Sequence, residues 1–92
     1  MAKIIKANGF VVNIEPENGT DFQYNELNKI VGGYIEIIYL NDGNIMVINE
    51  EGKLNSLPLN SQATIKARLC GGISFWDFIV GDVLYCDKKQ VK

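Results

Sequence analysis

Residues 31–54 read VGGYIEIIYLNDGNIMVINEEGKL, with one apolar run on each side of Asp42-Gly43. This pair predicts a two-residue hairpin turn, because both central positions of a type I′ turn need positive φ. In that register Leu40 faces Ile45, and both faces of the ribbon are apolar over most of their length. Antiparallel strands that are exposed on one face alternate apolar and polar residues instead. The sequence therefore predicts a hairpin that is covered on both faces.

The segments on either side of this hairpin predict the other elements. They are a hairpin at Asn8-Gly9, a helix over residues 21–31 with a Thr20–Gln23 capping box, a helix over residues 61–69 capped by Asn60, and a hairpin at Gly81-Asp82 between FIV and VLY. No βαβ pattern occurs. We therefore expect an α+β fold: a small, mostly antiparallel sheet of about five to six strands with two short helices. It forms one domain over residues 1–92, with a short basic tail at 88–92.

Charge and hydropathy exclude several kinds of partner. The net charge is -2 and Arg68 is the only arginine, so no basic face for nucleic acid is expected. No apolar run reaches the roughly 18 residues of a membrane span, and the first ten residues lack the features of a signal peptide. These patterns predict no membrane association and a cytoplasmic location. Cys70 and Cys86 are expected to be reduced and buried.

The sequence offers little catalytic chemistry. It contains no histidine, which removes the commonest general base and metal ligand. Glu50 and Glu51 are adjacent, and neighbours on an extended chain point to opposite sides. No phosphate-binding loop, dinucleotide fingerprint or nucleophile elbow is present. We therefore expect a non-enzymatic protein with no catalytic residues, no cofactor and no metal.

A set of polar and aromatic residues forms the candidate ligand site. The helix begun by Asn60 offers free N–H groups that can hold an anionic small molecule, although simple capping with solvated charge explains the same residues. Trp76 is available for stacking or a subunit contact if exposed, and core packing is its alternative. The predicted ligand-binding residues are Tyr34, Asn60, Thr64, Lys66, Arg68 and Trp76.

Five blocks of the chain together resemble a known family. The blocks are Val31–Glu36, Glu51–Leu54, Leu57–Asn60 with Ala63-Thr64, and Ile79–Leu84, spread in order over residues 10–86. They are similar to the phage- and mobile-element-associated domain of unknown function 3846. The resemblance implies a short accessory protein that acts in the cytoplasm of a bacterial host. It carries no established catalytic residues.

Two functions remain open. The first is a counter-defence sponge that sequesters a small nucleotide-type ligand, in pockets at the boundaries of a homo-oligomer. The hairpin's apolar second face is the reason to expect the oligomer. The second is a protein-binding module that docks on a host or phage protein and takes no small ligand.

Overall fold

Five strands form one antiparallel sheet in the computed structural model, which describes residues 2–92. The strands are β1 (Ala2–Ile5), β2 (Val11–Ile14), β3 (Ile35–Tyr39), β4 (Asn44–Asn49) and β5 (Val83–Asp87), in the order β2-β1-β5-β4-β3. Helix α1 (Tyr24–Val31) and helix α2 (Ser61–Leu69) complete the domain, with a short 3-10 turn at Lys88–Gln90. The predicted α+β class is confirmed.

The two helices cover opposite faces of the sheet. Leu27 and Val31 of α1 pack with Val47 on one face. Ala63 and Ala67 of α2 pack with Met46 on the other. Met46 and Val47 are neighbours on β4 and both are 0% exposed, so the prediction of cover on both faces is confirmed for β4. On β3, Glu36 and Tyr39 point to opposite faces and are both exposed, so cover of that strand is incomplete. The cover comes from the chain's own helices, which removes the reason given above for a second copy.

Both β-hairpins turn through three residues, and the predicted two-residue turns are wrong. Ile5 pairs with Val11, so residues 6 and 10 close a loop that consists of residues 7–9. Tyr39 pairs with Ile45, and the Leu40 N–H donates to the Asn44 carbonyl at 3.1 Å. The predicted pairing of Leu40 with Ile45 is therefore shifted by one residue.

The physical reason is that each loop contains a single residue with positive φ. Gly9 has φ 97° and Gly43 has φ 86°, whereas a type I′ turn needs two such residues. Asn8 and Asp42 keep negative φ, and the side chain of each accepts the N–H of the residue two positions later, at 3.0 Å in both cases. A turn closed by one left-handed glycine has this three-residue form.

Helix α1 begins three residues later than predicted. Gln23 is its N-cap residue, and the Glu26 carboxylate accepts the Gln23 N–H at 2.7 Å. The Phe22 N–H donates to the Gln90 carbonyl at 2.7 Å, which holds Phe22 outside the helix. Buried Phe22 and Leu27 then pack at the N′ and N4 positions as a hydrophobic staple. The Thr20 capping box is wrong, but the predicted end at Gly32, with φ 83°, is confirmed.

The predicted hairpin at Gly81-Asp82 does not form. Strand β5 already pairs with β1 on one side and β4 on the other, so neither edge is open to residues 78–80. Val80 instead makes an isolated bridge with Leu59, and the Gly81 N–H donates to the Pro58 carbonyl at 2.7 Å. The strand count is consequently five, and the segment before β5 is free to form irregular structure.

Replacing Gly43 tests the turn geometry. Gly43→Val puts a β-branched residue at φ 86°, which we expect to lower the free energy of unfolding by about 1–3 kcal/mol. Asparagine tolerates this region, so Gly43→Asn is the matched control and should lose much less. Chemical denaturation of both variants measures the difference. Equal stability of the valine variant and the wild type would contradict the three-residue loop.

Candidate functional site

Asn60 has a structural role in the buried interior. Its Oδ1 accepts the Ala63 N–H at 3.1 Å and so caps α2, as the sequence predicts. Its Nδ2 donates to the carbonyls of Ile5 and Gly81, both at 2.8 Å. These bonds tie the start of α2 to the end of β1 and to the segment before β5. Both polar atoms of the Asn60 side chain are therefore hydrogen-bonded inside the protein, which leaves them little opportunity to bind a ligand.

Thr64 is also held inside the protein. Its hydroxyl accepts the Ile79 N–H at 2.9 Å and donates to the Ile79 carbonyl at 3.3 Å. The Asn60 N–H reaches the same Ile79 carbonyl at 2.9 Å. Together Asn60 and Thr64 fasten the segment before β5 beneath α2.

Lys66 and Arg68 lie on different sides of α2, since two residues turn a helix by about 200°. Lys66 Nζ is 3.8 Å from the Asp42 carboxylate and 5.0 Å from the centroid of the Tyr85 ring. Its contact with the Tyr85 hydroxyl raises the pKa of Lys66 above its usual value. Arg68 donates twice to the Asp77 carbonyl, at 3.0 and 2.8 Å. The two cations therefore serve different parts of the surface.

Tyr34 and Trp76 are the two exposed members of the predicted set. Tyr34 lines a shallow cavity of about 290 Å³ beside α1, together with Tyr24 and Asn28. Trp76 lies on the α2 side, in the segment before β5, and is 86% exposed. Thr64 and Arg68 line the same cavity, a depression of about 410 Å³ with Leu59, Ile65 and Phe78. The structure thus distributes the predicted ligand residues over several surfaces.

Residues 74–78, which we call the aromatic turn, project two rings into solvent. Phe75 is 72% exposed and lies next to Trp76. The Asp77 N–H closes the turn on the Ser74 carbonyl at 3.1 Å. Asp77 also forms an ion pair with Lys53, and the hydrogen bond from Lys53 is the main reason that the pKa of Asp77 is lowered. The turn is therefore anchored at its base while its rings remain exposed.

A second feature adjoins this turn, and we call it the edge groove. It encloses about 290 Å³ on the α2 side of the sheet, along β3. Its walls combine apolar side chains with three carboxylates and one ammonium group. The lining residues are Glu36, Ile38, Ile48, Asn49, Glu50, Lys53, Gly72, Ile73, Asp77, Phe78, Ile79 and Val80.

One wall of the edge groove forms because the chain at Gly72 packs closely against the sheet. A Cβ on Gly72 would lie 2.6 Å from both Ile38 Cγ2 and Leu40 Cδ2, so only glycine fits there. Lys53 Nζ lies 4.5 Å from the centroid of the Phe78 ring. Sequence reasoning missed Glu36, Glu50 and Lys53 as site residues. The one signal was Glu36, a polar interruption of an otherwise apolar ribbon.

Titratable groups suited to catalysis are sparse in the described part of the chain. No group of three or more His, Cys, Asp or Glu residues is placed to hold a metal ion within residues 2–92. Both cysteines are free thiols, and burial raises the pKa of Cys86 to about 11. A thiol with such a pKa is almost entirely protonated near neutral pH and is a poor nucleophile. No described helix is long and apolar enough to cross a membrane.

The fold and surface define a small α+β domain with one five-stranded sheet, a helix on each face and a groove along one edge. The family described as Domain of unknown function (DUF3846) matches residues 4–91, and the chain belongs to that family. This confirms the family resemblance. No curated protein and no solved structure matched the chain.

The role of Asn60 can be tested with a nearly isosteric change. Asn60→Asp keeps the acceptor for the Ala63 N–H but loses both donors, and it buries a carboxylate against two carbonyls. Leaving buried polar groups unpaired costs about 1–3 kcal/mol each, and more for a charge. We expect the free energy of unfolding at pH 7 to fall by about 3 kcal/mol or more. Unchanged stability in urea would show that the amide is not needed internally.

Proposed function

We propose that this chain is a non-enzymatic binding protein whose partner is another protein, docked on the aromatic turn. The observation that carries the proposal is the paired exposure of Phe75 and Trp76, at 72% and 86%, on a turn fixed at its base. Arg68 of α2 and Lys53 of the turn after β4 both hold Asp77. Interface hot spots are typically rigid aromatic or arginine side chains that become fully buried in the complex.

The energetics support docking at this turn. Burying one large apolar side chain contributes roughly 1.5–3 kcal/mol, so two adjacent rings offer a substantial driving force. The turn is already ordered, which reduces the entropy that association would otherwise cost. These properties distinguish it from a flexible loop with incidental hydrophobic residues.

The neighbouring surface extends the apolar area. Ile65 and Leu69 lie one turn apart on α2 and are both exposed, and Leu59 and Phe78 line the cavity beside them with Arg68. An apolar centre with aromatic residues and arginine is the composition typical of a protein interface core. In this proposal the protein is an accessory factor of a phage or mobile element that acts in the bacterial cytoplasm. The family resemblance supports that setting.

Removing the two rings tests the proposal. Phe75→Ser/Trp76→Ser should leave the melting temperature nearly unchanged, because both side chains are largely exposed. Binding to a protein captured from host lysate and then purified should fall at least a hundredfold, as measured by calorimetry. The matched control is Tyr24→Ser, which removes an exposed aromatic residue from α1 on the opposite face. Equal losses in the two variants, or none in the double variant, would contradict docking at the turn.

A second candidate function is capture of a small nucleotide-type ligand. The cavity of about 410 Å³ favours it, because Arg68 and Phe78 line it together with Ser61 from the first turn of α2. A base can stack on an aromatic ring, and a phosphate can accept bonds from helix N–H groups. Asn60 and Thr64 contribute little, because their polar atoms are bonded internally.

Thermal shift against cyclic and linear nucleotides separates the two candidates. A ligand present at 100 times its dissociation constant should add about 2.7 kcal/mol of stability. Ser61→Asp adds a negative charge at the first position of α2, where it favours the helix but repels an anionic ligand. The nucleotide candidate predicts a shift that Ser61→Asp abolishes and Ser61→Asn retains. No shift across the panel would eliminate it.

A further inference from the structure

We infer that the outer edge of β3, together with the edge groove, receives an extended segment of the partner that inserts a basic side chain. This inference rests on the proposed function and names the chemistry of the partner. It depends on three observations: a free strand edge, a groove aligned with that edge, and unpaired carboxylates in the groove.

The first observation is the free edge of β3. Among the described residues, Ile35–Tyr39 pairs only with β4, because β3 is the last strand of the sheet. Within residues 2–92, no hydrogen bond from outside the sheet reaches the main chain of β3. The strand contains neither proline nor lysine, the residues that commonly protect an edge from further pairing. Its outward N–H and C=O groups can therefore pair with an added strand.

The second observation is that the groove lies on the same face as alternate side chains of β3. Glu36 and Ile38 both line it, and both point to the α2 side of the sheet. A strand added about 4.8 Å beyond β3 would direct every second side chain to this face. Ile48 and Ile73 supply apolar walls for the stem of a long side chain. Recognition by strand addition takes its affinity from the main chain and its specificity from such pockets.

The third observation is the charge of the groove. Lys53 pairs with Asp77, and Glu36 and Glu50 have no ion pair within residues 2–92. Two unpaired carboxylates beside apolar walls suit lysine or arginine, whose aliphatic stem packs while the head group stays polar. A second copy paired through its own β3 would bring another Glu36 and no cation, because β3 has no basic residue. The charge therefore favours a different protein as the occupant.

The groove and the aromatic turn are continuous. Asp77 and Phe78 belong to both, since they line the groove and form the end of the turn. One partner can therefore cover the exposed rings and pair with β3 at the same time. The turn supplies apolar contact area, and the groove determines which side chain is accepted.

Three synthetic peptides test this inference on the intact protein. Each has the nine-residue alternating sequence TVTVXVTVT, with arginine, norleucine or glutamate at X, and binding is followed by fluorescence anisotropy. We expect the arginine peptide to bind at least tenfold more tightly than the norleucine peptide, and the glutamate peptide to bind most weakly. Glu36→Gln/Glu50→Gln should erase the difference between arginine and norleucine, and Glu15→Gln/Glu17→Gln is the matched control. Equal affinity for all three peptides, or no binding by any, would overturn the inference.

Backbone methylation tests strand addition itself. N-methylation of alternate residues blocks pairing when the methylated edge faces β3 and leaves it intact when that edge faces away. One of the two methylated arginine peptides should therefore lose binding at least tenfold, while the other retains it. Equal behaviour would overturn pairing with β3. Dimers in sedimentation that the arginine peptide dissociates would overturn the choice of occupant, because a second copy would then fill the edge. These results are independent of the Phe75→Ser/Trp76→Ser experiment. Strand addition at the groove can therefore be disproved while docking at the aromatic turn is upheld.

Discussion

Burial of both faces of β4 is the constraint on which the rest of this structure depends. Met46 and Val47 are consecutive residues, point in opposite directions and have no exposed surface. This domain of 92 residues satisfies the constraint by placing one helix on each face of its sheet. The chain must therefore cross the sheet on its way from α1 to α2, and the segment between β4 and α2 completes that crossing. Two asparagines hold the ends of that crossing.

Asn49 and Asn60 stabilise the crossing through buried hydrogen bonds. Asn49 donates to the Val31 carbonyl at 3.1 Å and accepts the Glu51 N–H at 2.8 Å, which ties the end of β4 to the end of α1. Asn60 makes the equivalent connections from α2 to β1 and to the segment before β5. No buried side-chain polar atom lacks a partner within residues 2–92, so both asparagines can lie in the core without an uncompensated polar group. The surface features follow from this arrangement, because α2 covers the middle of its face and leaves the β3 edge open.

Local patterns were sufficient to predict the elements but insufficient to predict their alignment. Nearest-neighbour chemistry predicted three of them. The apolar runs predicted the ribbon, Gly32 predicted the end of α1, and Asn60 predicted the start of α2. The register was missed because Asp-Gly suits two-residue and three-residue turns, and one positive φ separates them. The position of β5 between β1 and β4 depends on long-range pairing that no local signal encodes. For the same reason the sequence could not bring Glu36, Glu50 and Asp77 into one groove.

Nuclear Overhauser effects from β4 test the central arrangement most directly. In a methyl-labelled monomer, the Met46 methyl should show contacts to Ala63 and Ala67, while the Val47 methyls contact Leu27 and Val31. Exchanged contacts, with Met46 near α1, would mean that β4 is slipped by one residue. Contacts to Met46 that appear only between differently labelled molecules would mean that another copy covers this face. Either result would contradict a sheet that is enclosed by its own two helices.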